Sequence, residues 1–161
     1  MWLVAALELI RLLAPSEPVV LSKEPVTIPL VSHDKALSKR LLDIARSPDR
    51  NVVLVLKGVE AEARPEASWE VYVEPGSHLV GVVALFDRGI RTEGPQTREP
   101  AEFLFVLDEA IGAAGKTDLQ VRFVPTSGVV VDGQPQAVEV RSNVTIGEIS
   151  LATEAANPPS S

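Results

Sequence analysis

The chain has 161 residues, of which 45% are apolar, and a formal net charge of −7. This length fits one domain with additional segments at its ends, and the apolar fraction is enough for a packed core, which excludes wholesale disorder. The acidic balance argues against nucleic acid as the main partner, because phosphate recognition needs a basic surface. The chain has no cysteine, which excludes disulfides, thiolate metal sites and cysteine nucleophiles but leaves the cellular compartment open.

The first fourteen residues, Met1 to Ala14, read MWLVAALELIRLLA and precede Pro15. They are apolar on nearly every face, so we predict a short helix buried against another surface. The stretch is too short for a membrane span, which needs about 20 apolar residues, and we expect no membrane span. It also carries Glu8 and Arg11 and lacks a basic start, so a signal or anchor segment is the alternative interpretation.

A second helix is predicted over 33–46, after two short β-like runs at 18–21 and 26–31. Ser32 can cap its start, and Pro29 makes the second β-like run an edge or irregular strand. Its apolar residues recur at helical spacing: Leu37, Leu41, Ile44 and Ala45. Residues 1–50 are therefore expected to form a helical and linking segment.

From Asn51 onward the chain is rich in short apolar runs separated by turn signals such as Asp132-Gly133. Candidate strands cover 52–59, 69–74, 79–86, 101–107, 119–124, 129–131, 137–140 and 144–151. We predict a mainly β fold, an antiparallel β-sandwich of about seven strands over 51–152, with short N-terminal helices. Gly81 indicates a bulge or a close approach of another group, and 153–161 is predicted to be a disordered tail.

The connections carry no recognisable catalytic set. There is no Gly-x-Ser-x-Gly elbow and no phosphate-binding glycine loop. Glu60 and Glu62 follow Gly58 in an expected turn, so they are interpreted as solvated loop residues rather than an acid–base pair. Asp108 and Glu109 fit the start of a short helix that ends at glycine 115, after a long polar loop over 87–100. We predict no catalytic residue and no enzyme activity for the chain by itself.

The two histidines, His33 and His78, lie far apart in the sequence. Zinc and copper sites usually need three or more nitrogen or sulfur ligands, so exposed histidines are favoured over a site completed by carboxylates. We therefore predict no metal site and no cofactor in this chain.

Six segments in chain order carry a family resemblance. The clearest is Ser68-Trp-Glu-Val-Tyr-Val-Glu74, which keeps the order aromatic, acidic, Val, Tyr, Val of a plant-family strand that reads approximately Lys-Phe-Asp-Val-Tyr-Val-Asn. The others are Val53-Leu-Val-Leu-Lys-Gly-Val59, Leu79-Val-Gly-Val-Val83, Phe103 to Gly115, Leu119 to Pro125 and Val144-Thr-Ile-Gly-Glu-Ile149. Together they resemble the C-terminal β-sandwich domain of polyphenol oxidases and tyrosinases. The resemblance covers Asn51 to Leu151, with a different spacing between Phe86 and Ala101 and an insertion at 132–141.

The resemblance implies a specific role. Catalysis in that family uses two copper ions held by six histidines of a helical domain, so a chain with two histidines would be the non-catalytic partner. It would cover the dicopper active site of a tyrosinase-like catalytic domain, on the same chain or as a separate protein, and aid latency, folding or copper loading. The enzyme as a whole would be a phenol or catechol oxidoreductase.

A covering domain of this kind would place one apolar side chain in the substrate pocket. Candidates for this plug are Phe86, Ile90 and Val129, for which ordinary core packing is the alternative. Trp2 and the apolar helix around it would pack onto the catalytic domain or cap the sandwich. The alternative function is a stand-alone β-sandwich that binds protein or carbohydrate. The aromatic content of 4% argues against sugar, and a small hydrolase is disfavoured because no catalytic set is present.

Overall fold

The structure is a computed structural model that describes residues 8–10, 18–30, 43, 50–74, 76–86, 88–94, 98–114, 119–127, 130–135 and 138–155. Within these ranges the regular elements are eleven β-strands and one helix of several residues. In chain order they are β1 (Glu8–Ile10), β2 (Val19–Leu21), β3 (Val26–Leu30), β4 (Arg50–Ala61), β5 (Ser68–Glu74), β6 (His78–Val83), β7 (Ala101–Val106), α1 (Asp108–Ala114), β8 (Leu119–Thr126), β9 (Val130–Val131), β10 (Gln134–Pro135) and β11 (Val144–Ala155).

Two antiparallel sheets form a sandwich, as the sequence predicts. The five-stranded sheet runs β1-β11-β4-β7, with β2 also paired to β11, and the four-stranded sheet runs β3-β8-β5-β6. A separate two-stranded ribbon joins β9 and β10. One continuous core lies between the two sheets.

The two main sheets contain nine strands rather than about seven, because three strands from residues 1–50 join them. Two of the three, β2 and β3, coincide with the β-like runs predicted at 18–21 and 26–31, which were assigned to the linking segment and not to the sandwich. β1 and β2 pair with opposite ends of β11, and β3 pairs with β8. The prediction of helix is wrong for Glu8–Ile10, since a long neighbouring strand offers free backbone groups that an apolar segment satisfies by pairing. The rest of that predicted helix, and residues 33–46 apart from the helical Asp43, lie outside the described residues.

Two further boundaries differ from the sequence prediction. β11 continues to Ala155, and Thr153 within it is fully buried, so 153–155 belong to the sheet and not to a tail. Residues 156–161 lie outside the described residues. Residues 138–140, predicted as part of a strand, are not in one. Both differences depend on pairing: β1 and β4 pair with β11 beyond its apolar run, whereas no strand among the described residues pairs with 138–140.

Gly58 lies inside β4 and not in a turn after it. Its φ is +64°, a left-handed conformation that glycine adopts without strain. The register with β7 shifts between Leu56 and Val59, so the strand absorbs one extra residue as a bulge. The shift keeps Val59 and Ala61 facing the core, and β4 therefore continues to Ala61.

The core comes from the inward faces of the long strands. In β5 the alternation is regular, with Trp69, Val71 and Val73 buried, as the period of two predicts. The indole Nε1 of Trp69 donates a hydrogen bond to the backbone oxygen of Ser22 at 3.0 Å, which satisfies the one polar atom of this side chain.

Gly81 is confirmed both as a bulge and as a close approach. The β5–β6 register shifts beside it, between Val71 and Tyr72. The ring of Phe105, from the opposite sheet, occupies the place where a side chain at position 81 would begin. Any larger residue at this position would therefore collide with an aromatic ring of the core.

Candidate interaction site at one end of the sandwich

Phe86 lies just beyond β6 and has the most exposed large apolar side chain among the described residues, at 70%. Its neighbour Leu85 is buried and belongs to the core. The chain therefore places one apolar side chain in the core and the next in solvent, which is the geometry expected of a protruding contact residue.

A cleft of about 260 Å³ lies beside Phe86. It is lined by 64–67 of the β4–β5 connection, by Ser68 at the start of β5, by 84–86 and by Ser127. This volume is below the range of roughly 300–1,000 Å³ that is typical of small-molecule pockets.

The chain that follows Phe86 is fixed to the end of β4. Gly89 accepts a hydrogen bond from the Ala61 amide at 2.6 Å, and the Arg91 amide donates to the Ala61 oxygen at 2.9 Å. Gly89 has a φ of +81°, and a Cβ atom there would lie 2.6 Å from the Val59 oxygen, so this approach requires glycine. The predicted long loop is therefore anchored along a strand end rather than free.

Ion pairs reinforce this attachment. The Arg91 guanidinium binds both Glu60 and Glu62, with 3.0 Å between Arg91 Nη1 and Glu62 Oε1. The hydrogen bond to Glu60, followed by that to Glu62, raises the pKa of Arg91 above its usual value. Arg64 Nη2 donates to Glu93 Oε2 at 2.9 Å. Glu60 and Glu62 are therefore ion-pair partners and do not form an isolated carboxylate pair.

Ile90 does not protrude. It is fully buried, and its backbone forms an isolated parallel bridge with Ala61. Its side chain belongs to the core cluster and holds the loop in place. Ile90, named as a plug candidate from the sequence, is therefore a core residue. Phe86 has the exposed side chain that a plug needs. Val129 and Trp2, the other two candidates, lie outside the described residues.

The outer face of the four-stranded sheet carries a polar network around Tyr72, within the segment that bears the family resemblance. Tyr72 donates a hydrogen bond to Glu70 Oε2 at 2.7 Å, and the Arg122 guanidinium lies 5.3 Å from the centre of the Tyr72 ring. Arg122 Nε is 3.1 Å from Glu74 Oε1. The hydrogen bond to Glu70 is the main cause that raises the pKa of Tyr72. These polar groups contact one another across the face, although Arg122 Nε makes only the ion-pair contact with Glu74 and no hydrogen bond of good geometry.

No metal-binding cluster is present in the described part of the chain, where no three His, Cys, Asp or Glu side chains come together. His78 starts β6 and lines a different cleft, beside Leu79 and Glu109. His33 lies outside the described residues. As for membranes, none of the helices that could be searched has the length and apolar character of a spanning segment.

Sequence reasoning missed the arginine–glutamate contacts that hold the loop. Arg91 and Arg64 are each 29 residues from a glutamate that they bind, Glu62 and Glu93. No local spacing rule links residues so distant. The signal that the sequence offers is an apolar residue, Ile90, within a polar loop.

No protein-family model matches the chain, and no curated protein matches it. Among solved structures, a recombinantly expressed latent aurone synthase, a polyphenol oxidase, is similar with a TM-score of 0.53 at 14% identity, over 89% of this chain and 27% of that chain. Latent aurone synthase from a natural source gives a TM-score of 0.48 at 15% identity, again over 27% of its length. The chain thus shares its fold with about a quarter of a latent polyphenol oxidase.

Proposed function

We propose that this chain is the non-catalytic, C-terminal-type sandwich domain of a polyphenol oxidase-like enzyme and that it covers the dicopper active site of the catalytic domain. The observation that carries the proposal is the fold likeness to part of a latent polyphenol oxidase, over 89% of this chain and 27% of that one. A domain that corresponds to 27% of such an enzyme leaves most of the enzyme's length for a separate catalytic region. The order of the strand motifs from Val53 to Ile149 supports the same assignment.

The residues of this chain do not fit a dicopper centre. The whole sequence has two histidines, whereas the family resemblance implies six. The proposed copper ions therefore belong to the partner domain, and the contribution of this chain is steric. It would exclude phenolic substrate and water from the site entrance and would support the folding or copper loading of its partner.

Phe86 is the residue of this chain that we propose enters the substrate pocket. Its exposed ring is carried by a segment with a buried residue on one side, Leu85, and an anchored loop on the other, through Ile90 and Arg91. Such support lowers the entropic cost of placing the ring in a pocket, because the backbone beneath it is already ordered. A rigid aromatic residue with few rotatable bonds is also a common anchor at protein interfaces.

The proposal is tested with the catalytic domain that is encoded on the same chain or in the neighbouring coding sequence. We expect that sequence to contain the paired histidine helices of a dicopper enzyme, and their absence would contradict the proposal. The wild-type chain should bind the purified domain and slow diphenol oxidation. Phe86→Ala should still bind but slow oxidation much less, and its own stability should change by less than about 0.5 kcal/mol, because the side chain is exposed.

Leu79→Ala is the matched control, since Leu79 is also an exposed apolar residue, at 55%, but lies on β6 away from this end. This variant should slow oxidation as the wild type does. Equal effects of Phe86→Ala and Leu79→Ala would remove Phe86 from the proposal. A chain that neither binds the catalytic domain nor changes its rate would overturn the covering function itself.

A further inference from the structure

The β9–β10 ribbon follows β8 at the end of the sandwich that carries Phe86. β8 ends at Thr126, which pairs with Ser68 at the start of β5, and β6 ends beside the same strand start. Ser127, the next residue, lines the cleft beside Phe86. Val130 begins the ribbon three residues later, so its Cα lies within about 11 Å of the Cα of Ser127. The ribbon therefore begins next to this cleft.

The chain that returns from the ribbon is fixed to the same cleft. Val138 and Val140 are partly buried and pack against the core. The Arg141 amide donates a hydrogen bond to the backbone oxygen of Pro65 at 2.9 Å, and Pro65 is itself a lining residue of the cleft. The segments on both sides of the ribbon are thus attached to the region around Phe86, so the ribbon and Phe86 share one base.

The turn of the ribbon is preorganised. Asp132 and Gly133 connect Val131 to Gln134, which is paired with it, and their φ angles are +52° and +76°. Positive φ at both central residues is required by the type I′ hairpin turn, for which Asp-Gly is a preferred sequence. A Cβ atom at Gly133 would meet nothing within 4 Å, so glycine is favoured here by the backbone conformation and not by a lack of space.

Val131 is an exposed apolar side chain of this ribbon, at 49%. Of the seven exposed large apolar side chains among the described residues, five lie on strands of the two main sheets. The other two are Phe86 and Val131, which both belong to segments at one end of the sandwich. Asp132, Gly133 and Gln134 are exposed as well, so the tip of the ribbon faces solvent. Because the turn is already ordered, burying Val131 at an interface costs little conformational entropy.

Phe86 alone is too small a contact to hold a second protein. A specific interface of standard size buries about 800 Å² on each partner and involves about 20–30 residues on each side. The elements around Phe86 must therefore supply the rest of the contact. Within the described part of the chain, the β9–β10 ribbon is the neighbouring element that presents a further large apolar side chain to solvent. The surface that receives Phe86 would then also meet the ribbon.

We propose that the β9–β10 ribbon is a second contact of this chain with the catalytic domain, in which Val131 packs on an apolar part of the surface around the substrate entrance. This inference rests on the proposed function. The two contacts differ in their effect: Val131 contributes to the affinity for the catalytic domain, whereas Phe86 blocks the substrate pocket.

Affinity and residual activity are measured separately to test this. The Kd of the chain for the purified catalytic domain is measured by calorimetry, and the rate of diphenol oxidation is measured with the chain at saturation. Val131→Ser should raise the Kd about fivefold, because apolar surface is lost from the contact, and should leave the rate at saturation as in the wild type. Phe86→Ala should raise the rate at saturation. Val106→Ser is the matched control, since Val106 is 51% exposed but lies on β7 at the other end, and it should change neither quantity.

Gly133→Ala tests the ribbon by a second route. The added Cβ would meet no other atom, so it acts through the strained turn alone, and it should also raise the Kd. Equal Kd values for Val131→Ser and Val106→Ser, with a wild-type chain that binds and slows oxidation, would overturn the ribbon contact and leave the covering function standing. A wild-type chain that does not bind the catalytic domain would overturn both.

Discussion

Gly81→Ala introduces one methyl group where the structure has no room for it. The new Cβ would lie closer than 3.0 Å to ring atoms of Phe105, a separation that folded proteins essentially never show. Phe105 is itself buried, and its ring stacks near that of Phe103 with centroids 6.1 Å apart, so it cannot simply rotate away. Overpacking of this kind costs about 1–3 kcal/mol. Loss of chain flexibility in the unfolded state offsets about 0.4–1 kcal/mol of that cost.

The central values of the two terms give an expected net loss of about 1.3 kcal/mol in the free energy of unfolding, measured by urea denaturation with an unchanged slope. The double variant Gly81→Ala/Phe105→Leu should show a favourable coupling of at least about 0.5 kcal/mol, because the smaller side chain makes room. Gly94→Ala is the matched control, since nothing lies within 4 Å of a Cβ atom there. An unchanged or higher denaturation midpoint for Gly81→Ala, or additive effects in the double variant, would refute the packing argument.

Three further changes probe other contacts. Trp69→Phe should cost about 1–3 kcal/mol of unfolding free energy in urea denaturation, because the Ser22 carbonyl loses its indole donor, and an unchanged midpoint would contradict this. Thr153→Val should raise the free energy of unfolding by about 1 kcal/mol, because it replaces a buried hydroxyl without a hydrogen-bond partner by a methyl group; a lower denaturation midpoint would count against it. Tyr72 is the single tyrosine, so phenolate absorbance reports on it alone: it should titrate above the ordinary pKa of 10.0, and Glu70→Gln should lower its pKa.

The raised pKa of Tyr72 makes the free energy of unfolding depend on pH in a defined direction. The folded state holds the phenolic proton more tightly than the unfolded state, because the phenolic O–H donates a hydrogen bond to Glu70. The resulting stabilisation is fully present below pH 10 and is lost as the pH rises through the folded-state pKa of Tyr72. A Glu70→Gln variant with the same alkaline stability profile as the wild type would contradict this reading.

Much of the sandwich followed from residue patterns. The alternation of β5 identified Trp69, Val71 and Val73 as core residues, and the glycine at 81 indicated a bulge or a close approach, both of which the structure contains. These features are local, because a period of two or a single missing side chain can be read from neighbouring residues. The short helix α1 could also be predicted from neighbouring residues, because acidic residues mark its first turn.

The parts that could not be predicted depend on partners distant in sequence. β1 forms a strand because β11 offers it an open edge, which the apolar pattern of the first fourteen residues does not contain. The polar residues on either side of Ile90 in the sequence predict a loop there, but the burial of its side chain depends on a backbone bridge to Ala61. Phe86 could be named from the sequence as an apolar residue at a strand end. That its side chain is exposed while Leu85 is buried required the fold.

We propose that this chain closes the active site of a dicopper catalytic domain, and a rate titration tests this function most directly. The initial rate of diphenol oxidation by the purified catalytic domain is measured at increasing concentrations of the chain. We expect a saturable fall in rate that is complete near one chain per catalytic domain and is reversed when the chain is removed by proteolysis. A rate that stays constant while the two proteins are shown to bind, or two proteins that do not bind at all, would contradict the claim.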